Sequence, residues 1–144
     1  MSTETLSSVF RTTRVDTLYA DVADVAKEED AGNNVFVLFT SDVGADGQTW
    51  CPDCARAFPV VTRLAGAQGR TLVVCEVGTL RAWKDASHPF RHDENLRLSS
   101  IPTLICVERS NAEKFTVRKT LEGSLLERCT TTQDVEDLVK PFLT

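Results

Sequence analysis

The chain has 144 residues, a formal net charge of -5, 42% hydrophobic residues and five cysteines. That length suits one domain that buries its core without disulfide staples, so a single domain over residues 1–144 is expected, with 1–8 as a flexible N-terminus. The acidic balance argues against nucleic acid as a partner, and no apolar run approaches the roughly 20 residues of a membrane-spanning helix.

The opening MSTETLSSVFRTTR has the Ser, Thr and Arg of a transit peptide, but it carries Glu4 and lacks an apolar h-region, so no targeting signal is read and a cytoplasmic protein is expected. A strand around residues 8–12 would come first. Val15, Leu18, Tyr19, Val22, Val25 and Ala26 then recur at three- and four-residue steps, an amphipathic helix stopped by Gly32, Asn33 and Asn34. The run VFVLF at 35–39 is short, continuous and rich in β-formers, as in a parallel-sheet strand buried on both faces. SDVGADGQ at 41–48 is a loop in which Asp42 and Asp46 read as turn residues rather than acid/base groups.

After the sequence WCPDC at 50–54, Ala55, Phe58, Val61, Leu64 and Ala65 keep a helical period, with Pro59 as an expected kink. A second buried strand is predicted at 71–77, helix and loop over 79–100, a third strand at 103–107 and a fourth at 115–121, with Gly123 as a turn or bulge. A capped helix begins near Thr132. The alternation predicts an α/β domain with a mixed sheet covered by helices on both faces.

C-x-x-C serves zinc sites and thiol-disulfide chemistry alike. Here Pro52 suits the first helical position, which makes Cys51 the N-cap and sets Cys54 one turn away on the same side, close enough for the sulfurs to bridge. The positive end of the helix favours thiolate at Cys51, the expected nucleophile, with Cys54 resolving the mixed disulfide. The nearby Asp53 charge opposes that thiolate by about 0.6 to 2.4 kcal/mol at roughly 7 Å, and the helix end returns about 0.3 to 2, so a moderate pKa depression at Cys51 is expected. Such a site needs no metal and no bound cofactor. Trp50 is read as part of the substrate surface, with a core aromatic as the alternative.

The competing metal reading is a structural zinc held by Cys51, Cys54, His88 and His92. It is disfavoured because 33 residues and a predicted strand separate Cys54 from His88, against roughly 12 to 15 in the common finger, and both histidines are read as surface loop residues. The count of five cysteines is odd, and Cys75 and Cys106 sit in apolar, strand-like runs. These features argue for a reducing compartment rather than a disulfide framework, with Cys129 incidental.

WCPDC together with Ile101, Pro102 and Thr103 resembles the thioredoxin fold, in which a cis-proline ahead of a strand packs beside the C-x-x-C motif. WCPDCARAFPVV and the segment VGTLRAWKDASHPFRHDENLRLSSIPTL at 77–104 are similar, more narrowly, to the thioredoxin domain-containing protein 17 family over roughly residues 8–144. The resemblance implies a monomeric cytosolic disulfide reductase with Cys51 attacking, Cys54 resolving, Pro52 and Asp53 tuning the redox potential, and Ile101 and Pro102 beside the substrate. It implies substrates such as cystine and nitrosylated or persulfidated thiols, recharging by thioredoxin reductase, for which a low-molecular-weight dithiol is the alternative, and a dynein light chain as partner. The chain departs from the wider fold pattern at Val37, Leu38 and Phe39, where an acidic residue would lie beneath the second cysteine. The proton of Cys54 must then use water or Asp53. The alternative of another class is a thioredoxin-like binding module that holds partners through its fold and the 79–100 segment.

Overall fold

The computed structural model describes residues 10–28, 35–46, 48–108 and 115–144. Five strands make one sheet: β1 (Phe10–Arg14), β2 (Val35–Thr40), β3 (Thr71–Glu76), β4 (Thr103–Glu108) and β5 (Thr116–Leu121), in the order β1-β3-β2-β4-β5. β3 runs parallel to both β1 and β2, whereas β2–β4 and β4–β5 are antiparallel, so the sheet is mixed as expected. The helices are α1 (Leu18–Glu28), α2 (Pro52–Ala67), α3 (Leu80–Lys84), α4 (Pro89–His92), α5 (Gly123–Glu127) and α6 (Thr132–Phe142).

The continuous apolar runs are what a sheet covered on both faces demands, because alternate side chains must enter opposite cores. On one face Val35, Val37 and Phe39 join Val73, Cys75 and Ile105, and α1 covers them with Leu18, Val22 and Val25 while Trp83 and Phe90 come from α3 and α4. On the other face Phe36, Leu38, Leu72, Val74, Leu104 and Cys106 meet Ala57, Val60, Val61 and Leu64 of α2 and Val135 and Val139 of α6. Burial of a Val, Leu or Phe side chain is worth about 1.5–3 kcal/mol. β5, an outer strand, alternates exposed and half-buried residues before Leu121 closes on the core. Among the described residues no helix is long and apolar enough to cross a membrane.

Several boundaries differ from the sequence reading. The first strand lies at Phe10–Arg14 rather than 8–12, and residues 8 and 9 fall outside those described, as do Gly32, Asn33 and Asn34. The first helix starts at Leu18 because Thr17 accepts the Asp21 amide at 2.9 Å, leaving Val15 in the turn before it. α2, in contrast, runs through Pro59 as one element, as the helical period predicts. Gly123 is no bulge: it is the first residue of α5, and the sheet irregularity falls at Cys106 and Val107. A side chain at Gly123 would stand 2.2 Å from Ser100 Oγ and 2.9 Å from the Pro102 carbonyl oxygen, so this position needs glycine for close approach.

Candidate functional site

The loop that leaves β2 is pinned at both ends. Asp42 accepts the Gly78 amide at 2.9 Å and pairs with Arg14 at 3.2 Å, while Glu76 receives the Val43 amide at 3.3 Å and Arg14 at 3.1 Å. Val43 bridges Thr49, the Gly44 amide donates to the Gln48 carbonyl at 2.8 Å, and Asp46 accepts the Gln48 amide at 3.0 Å. Asp42 and Asp46 therefore shape the loop, as their turn chemistry predicts. The loop delivers Trp50, half-buried, whose Nε1 donates to the Gly78 carbonyl at 3.2 Å. Gly78 has φ +114, a conformation that favours glycine.

Cys51 caps α2 in extended conformation, and its sulfur accepts the Cys54 amide at 3.2 Å. Pro52 follows at the start of the helix, exposed, where no intrahelical donor is required of it. The Cys51 amide donates to Thr49 Oγ1 at 3.2 Å, and that hydroxyl is also bonded to Ser41 Oγ. The two cysteines are free and unequal in access: Cys51 is 7% exposed and Cys54 1%.

The hydrogen bond between the sulfurs, together with burial, pushes the Cys51 thiol up. The same bond lowers Cys54 to about 7 against the cost of burial, with help from the Thr40 side chain and from both the backbone and the hydroxyl of Ser41. This departs from the depression expected at Cys51. The helix end does act there, through the Cys54 amide, but the neighbouring sulfur has more donors. Each sulfur is the main influence on the other, so the two titrate as a pair rather than singly. Asp53 is held by Arg56 at 3.2 Å, and Arg56 also donates to the Cys129 carbonyl at 3.0 Å. The Asp53 charge, with Arg56 beside it, also pushes Cys51 up, less than the neighbouring sulfur and burial do.

The Ile101–Pro102 peptide is cis, and both residues are buried. β2 pairs Phe39 with Thr103, so continuing the register by one residue sets Pro102 opposite Thr40, where β2 hands over to the loop leading to Cys51. Ile101 belongs to the same apolar cluster as Cys51 and Cys54. Cys54 itself lines a cavity of about 260 Å³ together with Thr40, Gln48, Thr49, Phe58 and Pro59 among others. The sequence reading missed Thr40 and Ser41, which are 1% and 0% exposed and lower the Cys54 thiol. The available signal was the missing acid at 37–39 followed directly by two hydroxyl residues.

The histidines are not a matched surface pair. His88 is 5% exposed and caps α4: its Nδ1 accepts the Phe90 amide at 3.1 Å, which makes Nε2 the donor to the Val77 carbonyl at 2.8 Å. His92 is exposed and bonds the Ala86 carbonyl at 2.5 Å. Both ring nitrogens of His88 are committed to backbone, and the described residues contain no group of three or more His, Cys, Asp or Glu placed to hold a metal ion. Cys51, Cys54, His88 and His92 are not brought together.

Residues 16–132 match the family model described as "Thioredoxin domain-containing protein 17-like, thioredoxin domain". Human thioredoxin domain-containing protein 17 is 34% identical over 104 residues, 71% of this chain and 81% of that protein. The thioredoxin-like protein Clot of Oryza sativa subsp. japonica is 39% identical over 94 residues, 60% of this chain and 68% of the other. Among solved structures, oxidised mitochondrial thioredoxin 3 from Saccharomyces cerevisiae superposes with a TM-score of 0.50 at 14% identity, covering 90% of this chain and 94% of that one. The likeness to that structure is one of fold, and the mixed sheet with helices on both faces is a thioredoxin fold.

Proposed function

The chain belongs to the thioredoxin domain-containing protein 17-like family, whose thioredoxin domain supports a thiol-redox role, and from that premise we propose that it is a disulfide reductase with Cys51 as nucleophile and Cys54 as resolving thiol. The observation that carries the reading is the pair itself: two free, unequally exposed cysteines at the start of α2, the sulfur of one receiving the helix-end amide of the other. In the reduced protein the Cys54 thiolate takes the proton of Cys51 as the Cys51 sulfur attacks a substrate disulfide. The S–S bond breaks, a mixed disulfide forms on Cys51, and the first substrate thiolate leaves and is protonated by solvent. Cys54 then loses its proton and attacks the Cys51 sulfur. The second thiol is released, and two electrons have passed from the protein to the substrate. No bound cofactor is required.

Cys51 is the attacking sulfur because it is the more exposed of the two, and Cys54 resolves because it lies one turn deeper. Trp50, Ile101 and Pro102 form the substrate side of the site, and Pro52 and Asp53 tune the potential. The substrates are small disulfides such as cystine, and nitrosylated or persulfidated thiols. Recharging comes from thioredoxin reductase or a low-molecular-weight dithiol, in a cytoplasmic, monomeric protein. A reductase-coupled assay with cystine tests this: wild type consumes reductant catalytically and Cys51→Ser does not. Failure to reduce cystine or any small disulfide, even with a chemical dithiol as reductant, would overturn the reading in favour of a binding module.

A further inference from the structure

We propose that Thr40 and Ser41 are catalytic hydroxyls for the second half of the reaction, holding the Cys54 sulfur as a thiolate and passing its proton into the cavity that Cys54 lines. The inference deepens the reductase reading and rests on it. A resolving thiol at 1% exposure cannot ionise into bulk water, and a buried thiolate without donors is costly. The strand residues that lead to the site, Val37, Leu38 and Phe39, are fully buried and carry neither charge nor side-chain donor. The next two residues supply what is missing. Thr40, buried like Ser41 beside it, lines one cavity together with Cys54 and Thr49, and both hydroxyls and the Ser41 backbone lower the Cys54 thiol.

The hydroxyls also lead outward. Thr40 and Thr49 line the cavity of about 260 Å³, and Ser41 Oγ is bonded to Thr49 Oγ1, in a contact where either oxygen can be the donor. When Cys54 ionises, its S–H bond breaks and the proton passes to the oxygen of Thr40 or Ser41. That hydroxyl releases its own proton outward, through Thr49 in the case of Ser41, to water in the cavity. The electron pair left on sulfur forms the bond to Cys51 and expels the substrate thiolate. A carboxylate in this place would relay the proton but oppose the thiolate with its own charge, and hydroxyls stabilise it without that penalty. On α2 the titratable and charged groups close to Cys54 in sequence are Cys51 at its head and Asp53 and Arg56, which are paired with each other. Glu76 stands beside Thr40 in the sheet and Asp42 follows Ser41, and both are paired with Arg14, while the 101–102 segment contributes only uncharged residues.

The test uses the full chain and an aromatic disulfide that releases thionitrobenzoate twice, once when Cys51 attacks and once when Cys54 resolves. Both releases are followed by stopped flow across about pH 5 to 9. In Thr40→Val/Ser41→Ala the ratio of second to first release rates should fall about tenfold at neutral pH, and the midpoint of the second release should rise by about one pH unit. Thr40→Ser, which keeps the hydroxyl, should behave as wild type. A folded double variant with the wild-type midpoint overturns the proposal. If the double variant does not fold, Ser41→Ala and Thr40→Val are measured singly: smaller upward shifts in both support it, and an unshifted midpoint in both overturns it. Absence of the second release in wild type itself would instead remove the reductase reading on which the proposal rests.

Discussion

Gly123→Ala perturbs the site from 22 residues beyond Ile101 without touching a cysteine. The added methyl would meet Ser100 Oγ at 2.2 Å, the Pro102 carbonyl oxygen at 2.9 Å and Ser100 Cβ at 3.1 Å. The serine hydroxyl can rotate away, but the carbonyl belongs to the backbone and must withdraw by about half an ångström to reach ordinary contact. Overpacking of this kind costs about 1–3 kcal/mol, to be read from urea unfolding. Because a 1 Å misplacement near reacting groups can cost about a hundredfold, half that displacement of Pro102 should lower kcat/KM for a small disulfide about tenfold. Cys51 alkylation by iodoacetamide, which needs no docking against Pro102, should stay at the wild-type rate. Adding Ser100→Ala should recover only part of both losses, since the carbonyl contact remains. Wild-type stability together with wild-type kcat/KM in Gly123→Ala would refute this account of the close approach.

His88→Ala removes hydrogen bonds to Val77 and Phe90 and ring contacts with Trp83 and Phe90, so unfolding in urea should show a loss of about 2–4 kcal/mol. In the same measurement a chelator should leave wild-type stability unchanged, and chelator-induced unfolding would restore the zinc reading. Asp53→Asn should speed Cys51 alkylation about twofold at mildly acid pH, while Arg56→Gln, which frees the carboxylate, should slow it; the reverse order would show that Asp53 acts otherwise. Burial, and then the Glu76 charge, push the Cys75 thiol up, so the folded chain keeps a proton that the unfolded chain loses near about pH 8.5. Stability is then fully present below that pH and falls above it by up to about 1.4 kcal/mol per unit for this group. Urea unfolding between about pH 8 and 10 should show the fall reduced in Cys75→Val, and an identical slope would contradict the assignment.

The sheet was legible where one signal dominated. The runs at 35–40, 71–76 and 103–108 are continuous and apolar because both sheet faces are covered, and no helix pattern competes with them over so few residues. The start of α2 was equally plain, since a Gly/Asp loop, Pro52 and a C-x-x-C spacing all favour the same N-cap. What escaped the sequence depends on distant partners. Gly123 reads as a turn until Ser100 and Pro102 are seen against it. His88 lies in a polar stretch, and its burial follows from a cap to Phe90 and a bond to Val77, eleven residues earlier. Thr40 and Ser41 look like the frayed end of a strand, and only the return of the chain at Cys54 gives their hydroxyls a sulfur to hold. The ionisation of the cysteines was misjudged for the same reason, because helix-end electrostatics can be read locally and the donors around Cys54 cannot.

The central claim, that Cys51 attacks and Cys54 resolves, is tested most directly by incubating reduced Cys54→Ser with cystine and mapping the product by peptide mass spectrometry. The account predicts one half-cystine adduct per chain, located on Cys51, persistent because no resolving thiol remains, and absent from Cys51→Ser. An adduct located instead on Cys75, Cys106 or Cys129, or formed equally well by Cys51→Ser, would contradict it.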